Sequence, residues 1–433
     1  MQLLSSEEWA QKCNADGEFS IAARYWQGGL KLRVGGQILA LTLNSGIAQA
    51  GEPENNEGLI TYTADTEVWQ KLLAQEPPRF HNDIMANMST GMGVTRAGDH
   101  LTAAQYYGAA MRGIELLRSA NIDSLQPTGA TVALDPQTAA PFKMDTPVGR
   151  YVHLNLEGFD YRIYFEEAGQ GGIPILLQHT AGCHGSQWRH LFEDSLITDR
   201  FHLIAYDLPF HGKSLPPTEK NWWAEHYTLQ GSFLRSIPVQ LARALQLDRP
   251  VFMGCSVGGL LALDLGHRHA DEFRAVIAIE GALKIGGDLD SLQELWHPQI
   301  GSQYKARLME GLMSPTSPEC YRKETSFVYA SGWPPVFIGD LHYYLAEFDL
   351  TQAATQINTA RVGVHILSGE YDWSGRAEFG EAAHEAIPGS SWTHMQGVGH
   401  FPMSENPEQF IHHLRPILEQ IAEDSGLELG AGR

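Results

Sequence analysis

The sequence predicts an α/β protein: a doubly wound, mostly parallel sheet with an inserted helical cap, preceded by a small α+β domain. Three observations carry this. Near-continuous apolar runs recur at 173–178, 201–206, 250–253, 274–279 and 362–367, as strands covered on both faces require. Helical apolar patterns separate them, for example at 232–247, and a final one spans 406–421, so strand and helix alternate. One run ends abruptly at Gly254 and passes through Cys255, Ser256 and Val257 to Gly258 and a helical pattern. A strand turning that sharply into a helix brings its own backbone close, so the residues two before and two after Ser256 must be small.

Composition bounds the rest. The 433 residues exceed one typical domain. No apolar run reaches membrane-spanning length, and Met1 to Glu8 lacks a basic region followed by an apolar block, so neither a membrane span nor a secretory signal is expected. The four cysteines, Cys13, Cys183, Cys255 and Cys320, form no C-x-x-C pair, which argues for reduced thiols and a cytoplasmic protein. A formal charge of −21 argues against nucleic acid and anionic membranes as partners. No Gly-x-Gly-x-x-Gly follows a first strand and no paired His has metal spacing, so neither cofactor nor metal is expected.

Residues 1–120 read as the α+β domain. A helix spans Ser6 to Tyr25, opened by Ser-Ser-Glu-Glu, a capping signature. Alternating strands at 30–34 and 38–43 are joined by Gly35-Gly36 as a hairpin. A strand at 59–64, a helix from Thr66, a helix over 81–88 and a long helix over 101–118 follow. This order resembles the sterol-carrier-protein-like fold, which implies an apolar ligand tunnel. The same apolar residues also suit the domain's own core or a homodimer surface.

Residues 121–147 carry breakers without periodicity and form a linker. The sheet domain then takes 148–282 and 361–425, with an antiparallel pair at 151–156 and 161–165 before the parallel strands. Between them, 283–360 breaks the strand rhythm and is rich in aromatics, as a cap over the sheet would be. Trp296, Tyr329, Trp333, Tyr343 and Tyr344 are its candidate substrate-facing side chains.

A catalytic serine needs a base and the base an orienting acid. Asp372 ends Gly369-Glu370-Tyr371-Asp372 just past a strand, and His400 lies in Gly399-His400-Phe401-Pro402 before the last helix. Surface or core roles suit His184, His190, His202, His211, His267 and His269 better. With Gly-Cys-Ser-Val-Gly, the order Ser…Asp…His over 150–423 resembles a capped, esterase-like α/β-hydrolase-fold serine hydrolase. The resemblance implies Ser256 as nucleophile, His400 as base and Asp372 as acid, with Glu280 at the end of 277–280 as the rival acid. It places the oxyanion donors at the N–H groups of Val257 and Ala181. Thr180 stands where that family usually has Gly. The family's structural Asp-x-x-Gly-x-Gly-x-Ser turn appears as Asp207-Leu208-Pro209-Phe210-His211-Gly212-Lys213-Ser214.

The expected reaction is hydrolysis of a small apolar or aromatic carboxylic ester or lactone through an acyl-enzyme. Carbon–carbon bond hydrolysis of a diketone uses the same residue types and stays open. A carrier or receptor for an apolar ligand, built on the same fold, is the alternative from another class.

Overall fold

The computed structural model describes residues 3–118 and 144–426, so the expected linker lies outside the described residues except for 144–147. The chain divides into two compact units, Met1–Ala130 with Glu294–Glu319, and Thr131–Gln293 with Cys320–Arg433. The stretch 283–360, expected as a single cap, is therefore divided: its segment 294–319 belongs with the N-terminal residues.

The first unit is built on a five-stranded sheet of order β3-β2-β1-β4-β5. Its strands are β1 (Gln27–Val34), β2 (Gln37–Asn44), β3 (Ile47–Ala50), β4 (Leu59–Ala64) and β5 (Thr95–Ala97). The expected hairpin forms, with Gly35 at φ 57° in its turn. The single first helix is instead two, Ser6–Ala15 and Gly17–Ala23. Ser5 and Glu8 close the capping box, and Asp16 interrupts the helix to cap the second through the Phe19 N–H. The core holds Trp9, Trp26 and Trp69, each donating its indole N–H to a backbone carbonyl at 2.8 Å, so burial leaves no orphaned donor. Helix Ser302–Glu310 packs on helix Tyr107–Arg118, where buried Arg307 binds Glu115 and Glu310. Asn82 donates to the Gly311 carbonyl at 3.0 Å, and Tyr107 donates to the buried carboxyl of Asp83.

The second unit carries an eight-stranded sheet of order β13-β12-β11-β10-β8-β9-β7-β6. β6 (Val148–Leu156) and β7 (Phe159–Ala168) are the antiparallel edge. β8 (Ile173–Gln178), β9 (Phe201–Tyr206), β10 (Val251–Cys255), β11 (Ala275–Ile279), β12 (Gly363–Gly369) and β13 (Ser391–Met395) run parallel. β8, β10 and β11 are buried throughout, which is why they read as unbroken apolar runs. Half-buried β13 lacks such a run and was not legible. All six parallel strands end on one side of the sheet, where an open α/β sheet places its ligands. Residues 319–347 form helices Glu319–Ala330 and Pro334–Leu341 and a π-helical turn, His342–Glu347.

Candidate active site

β10 turns directly into helix Val257–Arg268, and Ser256 holds the corner at φ 60° and ψ −114°. That is left-handed backbone, strained for any residue but glycine. Its N–H donates to the Ile279 carbonyl at 2.9 Å and its carbonyl accepts from Leu260 at 2.9 Å, which fixes the corner from both sides. A Cβ on Gly254 would stand 2.5 Å from the Gly258 carbonyl oxygen, and one on Gly258 would stand 3.1 Å from the Gln178 oxygen. Gly254 is thus sterically required, and Gly258 sits in a tight contact. A third was missed: a Cβ on Gly259 would meet the Ile279 oxygen at 2.2 Å. Only the neighbouring strand reveals that constraint.

His400 lies on the loop after β13 and Asp372 just beyond β12. The His400 Nδ1 donates to Asp372 Oδ2 at 2.5 Å, leaving Nε2 as the ring's free acceptor. The histidine is held along its backbone as well. Glu405 accepts the Gly399 N–H at 2.5 Å, and the Cys255 thiol donates to the His400 carbonyl at 3.1 Å. Asp372 is fully buried and also accepts the N–H groups of Ser374 at 2.7 Å and Gly375 at 3.0 Å. Burial alone would raise its pKa. The charge and hydrogen bond of His400, with the two N–H donors, outweigh that and hold Asp372 below its ordinary value.

Glu280 follows β11 at φ 54° and is equally buried. Its Oε1 accepts the Gly369 N–H at 2.8 Å, and no bond joins it to His400 among the described residues. Burial first, and then the Asp372 charge, push the Glu280 carboxyl well above its ordinary value. The two neighbouring carboxyls are thus pushed in opposite directions, Asp372 down and Glu280 up.

The loop after β8 brings Ala181 toward the corner, because the Gln178 carbonyl packs against Gly258. Among the described residues, neither the Val257 N–H nor the Ala181 N–H has a hydrogen-bond acceptor, although both residues are buried. Thr180 is accommodated without left-handed backbone; Gly182 takes φ 63° instead. The Thr180 N–H and hydroxyl both donate to Gln187 Oε1 at 3.0 Å, and its hydroxyl bonds the Tyr329 hydroxyl. In the Asp207 turn, Oδ1 accepts from the Gly185 N–H and Oδ2 from the Lys213 N–H, each at 2.7 Å.

The aromatics expected to face substrate separate. Tyr344, on the π-helical turn, reaches the Ser256 side chain and lies 3.2 Å from the Ser374 hydroxyl. Wide π-turns recur at functional sites because they re-aim successive side chains. Its neighbour Tyr343 points the other way and donates to Asp264 at 3.1 Å, beside Arg235 and Arg268. Tyr329 is spent on Thr180 and packs on Phe401 at 5.2 Å. Trp333 stacks on Phe210 at 6.0 Å and meets Trp222 edge-on at 5.5 Å. Trp296 belongs to the first unit and is 45% exposed. His211, assigned from the sequence to surface or core, is buried and pairs with Asp340 at 2.9 Å.

Comparison with known proteins bears on the fold and the family. Residues 175–413 match the alpha/beta hydrolase family. An uncharacterized protein of Mycobacterium tuberculosis is 26% identical over 272 residues, covering 58% of this chain and 76% of its own. A pimeloyl-[acyl-carrier protein] methyl ester esterase of Vibrio vulnificus is 23% identical over 270 residues, covering 58% and 96%. Among solved structures, a thermophilic esterase from Thermogutta terrifontis superposes with a TM-score of 0.54 at 19% identity, covering 63% of this chain and 99% of that one. The enol-lactonase from Burkholderia xenovorans gives 0.51 at 20%, covering 62% and 100%. With the matched residues running from β8 to the last helix, through the Ser256 corner and the loops of Asp372 and His400, this chain belongs to the α/β-hydrolase family and is a hydrolase.

Proposed function

We propose that the protein hydrolyses a carboxylic ester or lactone with an apolar part, through Ser256, His400 and Asp372. The observation that carries this is the 2.5 Å bond from His400 Nδ1 to buried Asp372, in the unit that holds Ser256 on a strained corner. Ser256 Oγ attacks the carbonyl carbon while His400 Nε2 takes its proton. The oxyanion then lies against the unpartnered N–H groups of Val257 and Ala181, at the positive end of helix Val257–Arg268. Collapse expels the alcohol oxygen, which takes the proton from His400; in a lactone it stays tethered to the acyl group. Water next gives a proton to His400 and attacks the acyl carbon. Ser256 departs with that proton restored, and the acid product leaves. Asp372 keeps the Nδ1–H tautomer throughout and stabilises the imidazolium. Tyr344 meets substrate at Ser256, and the esterase and lactonase names among the relatives fit this chemistry.

A fluorophosphonate is expected to form an adduct at Ser256 that is absent in Ser256→Ala, located by mass spectrometry of the digested protein. The same enzyme should turn over aryl esters or lactones. If well-folded protein takes no label, the serine is not activated and the hydrolytic assignment of Ser256 fails. Product analysis against a ring-cleavage diketone separates ester from carbon–carbon hydrolysis, which the triad residues alone do not distinguish.

A further inference from the structure

Ala181 sits between two residues that the cap holds. On one side Thr180 bonds Tyr329, from helix Glu319–Ala330. On the other, the Gly182 N–H donates to Asp340 Oδ2 at 2.7 Å, from helix Pro334–Leu341. A Cβ on Gly182 would stand 2.6 Å from Phe337 of that same helix, so loop and helix are in direct contact. Asp340 is fully buried. Its Oδ1 accepts the Tyr227 hydroxyl at 3.0 Å and its Oδ2 also faces His211 Nε2 at 2.9 Å. His211 Nδ1 lies 2.8 Å from the Pro209 carbonyl oxygen. Both ring nitrogens thus face oxygen acceptors, which suits an imidazolium and leaves no place for a ring lone pair.

We propose that His211 and Asp340 are positioning residues: their buried pair ties the cap helix to Gly182 and so sets where the Ala181 N–H points. This rests on Ala181 serving as an oxyanion donor. The oxyanion site is then completed by the cap and not by the sheet alone. Oxyanion stabilisation depends on a donor fixed to a fraction of an ångström, so a loosened loop costs turnover before it costs substrate affinity.

The groups facing His211 set its pH behaviour. They are Asp340 on the cap helix, Asp207 after β9, the His179 ring at 5.0 Å and His184 after β8, and the Tyr227 ring at 6.1 Å. Burial favours a neutral ring, but the Asp340 charge and hydrogen bond, the Pro209 carbonyl and the Asp207 charge win and raise the pKa of His211. His179 stays neutral: burial and His211 lower it, and its Nε2 accepts the Leu208 N–H at 3.0 Å. A raised histidine pKa means the pair is complete at low pH and is lost as pH rises through the folded-state value, above the ordinary histidine range.

The test uses the full chain, an aryl ester and the fluorophosphonate. Asp340→Asn is expected to lower kcat about 10- to 100-fold with KM changed less than about threefold, and to slow Ser256 labelling in proportion. Wild-type kcat should fall on the alkaline side, and His211→Gln should remove that limb. The double variant His211→Gln/Asp340→Asn should recover part of the loss, because an amide pair restores a neutral donor–acceptor contact. A folded Asp340→Asn with wild-type kcat and labelling rate overturns the proposal while leaving Ser256 chemistry intact. Should Asp340→Asn fail to fold, Tyr329→Phe and the wild-type pH profile decide. A flat alkaline profile with unchanged kcat in Tyr329→Phe overturns it; an alkaline fall with reduced kcat supports it. If wild-type Ser256 takes no label, the catalytic assignment fails first and this inference with it.

Discussion

Asp372 and Glu280 follow adjacent strands, and their surroundings move their protons in opposite directions. Asp372 gains three donors, counting His400, while Glu280 gains one N–H and the repulsion of its neighbour. Asp372→Asn should therefore lower kcat by about 10³- to 10⁴-fold, because the amide no longer enforces the His400 tautomer. Glu280→Gln should change kcat by less than about tenfold, since Glu280 bonds the Gly369 N–H while His400 bonds Asp372. The reverse pattern in steady-state kinetics would transfer the acid's role to Glu280. Stability gives a second readout. A carboxyl whose folded pKa is raised contributes fully below its unfolded value, and that contribution is lost as pH rises. Glu280→Gln has no such proton to lose, so its melting temperature relative to wild type should improve from pH 5 to pH 8. A constant difference across that range would refute the charge assignment.

At the scale of elements, the corner at Ser256 depends on close backbone approach on two sides. Gly254 and Gly258 meet each other, and Gly259 meets β11. Gly259→Ala places a Cβ against a backbone oxygen that cannot swing away, and should cost about 3 kcal/mol or more in chemical denaturation. Gly36→Ala, with nothing within 4 Å of its Cβ, should stay within about 1 kcal/mol and favour the fold. Equal effects at the two sites would contradict the packing described. Gly254 was legible because the backbone it meets, at Gly258, lies four residues on. Gly259 was not, since its partner is Ile279 on another strand. Residues 283–360 show the same division: their aromatic content was plain, yet only the π-helical turn decides that Tyr344, and not Tyr343, faces Ser256.

At the scale of the whole molecule, the chain returns to its N-terminal unit through 294–319. Arg307 is buried there between Glu115 and Glu310, and Leu308 and Met309 are covered. Deleting residues 1–120 would leave Arg307 without Glu115, and breaking a buried pair from one side costs about 3–5 kcal/mol. The shortened protein should lose its sharp thermal transition and aggregate on size exclusion. A monodisperse deletion variant with the wild-type melting temperature would show that 294–319 does not need the N-terminal residues.

The sequence alone determined the alternating sheet, the glycine-flanked corner at Ser256 and the chain order of Ser256, Asp372 and His400. Those features follow from short-range causes: side-chain periodicity, backbone sterics within a few residues, and the habit of parallel strands to present their following loops on one side. Tertiary structure decided which carboxyl faces His400, which tyrosine faces Ser256, and that 294–319 belongs with the N-terminal residues. It also joined His211 to Asp340 across 129 positions of chain. Each of these turns on the direction of a side chain leaving one element toward another. Loop conformation and packing fix that direction, and neither is written in local pattern.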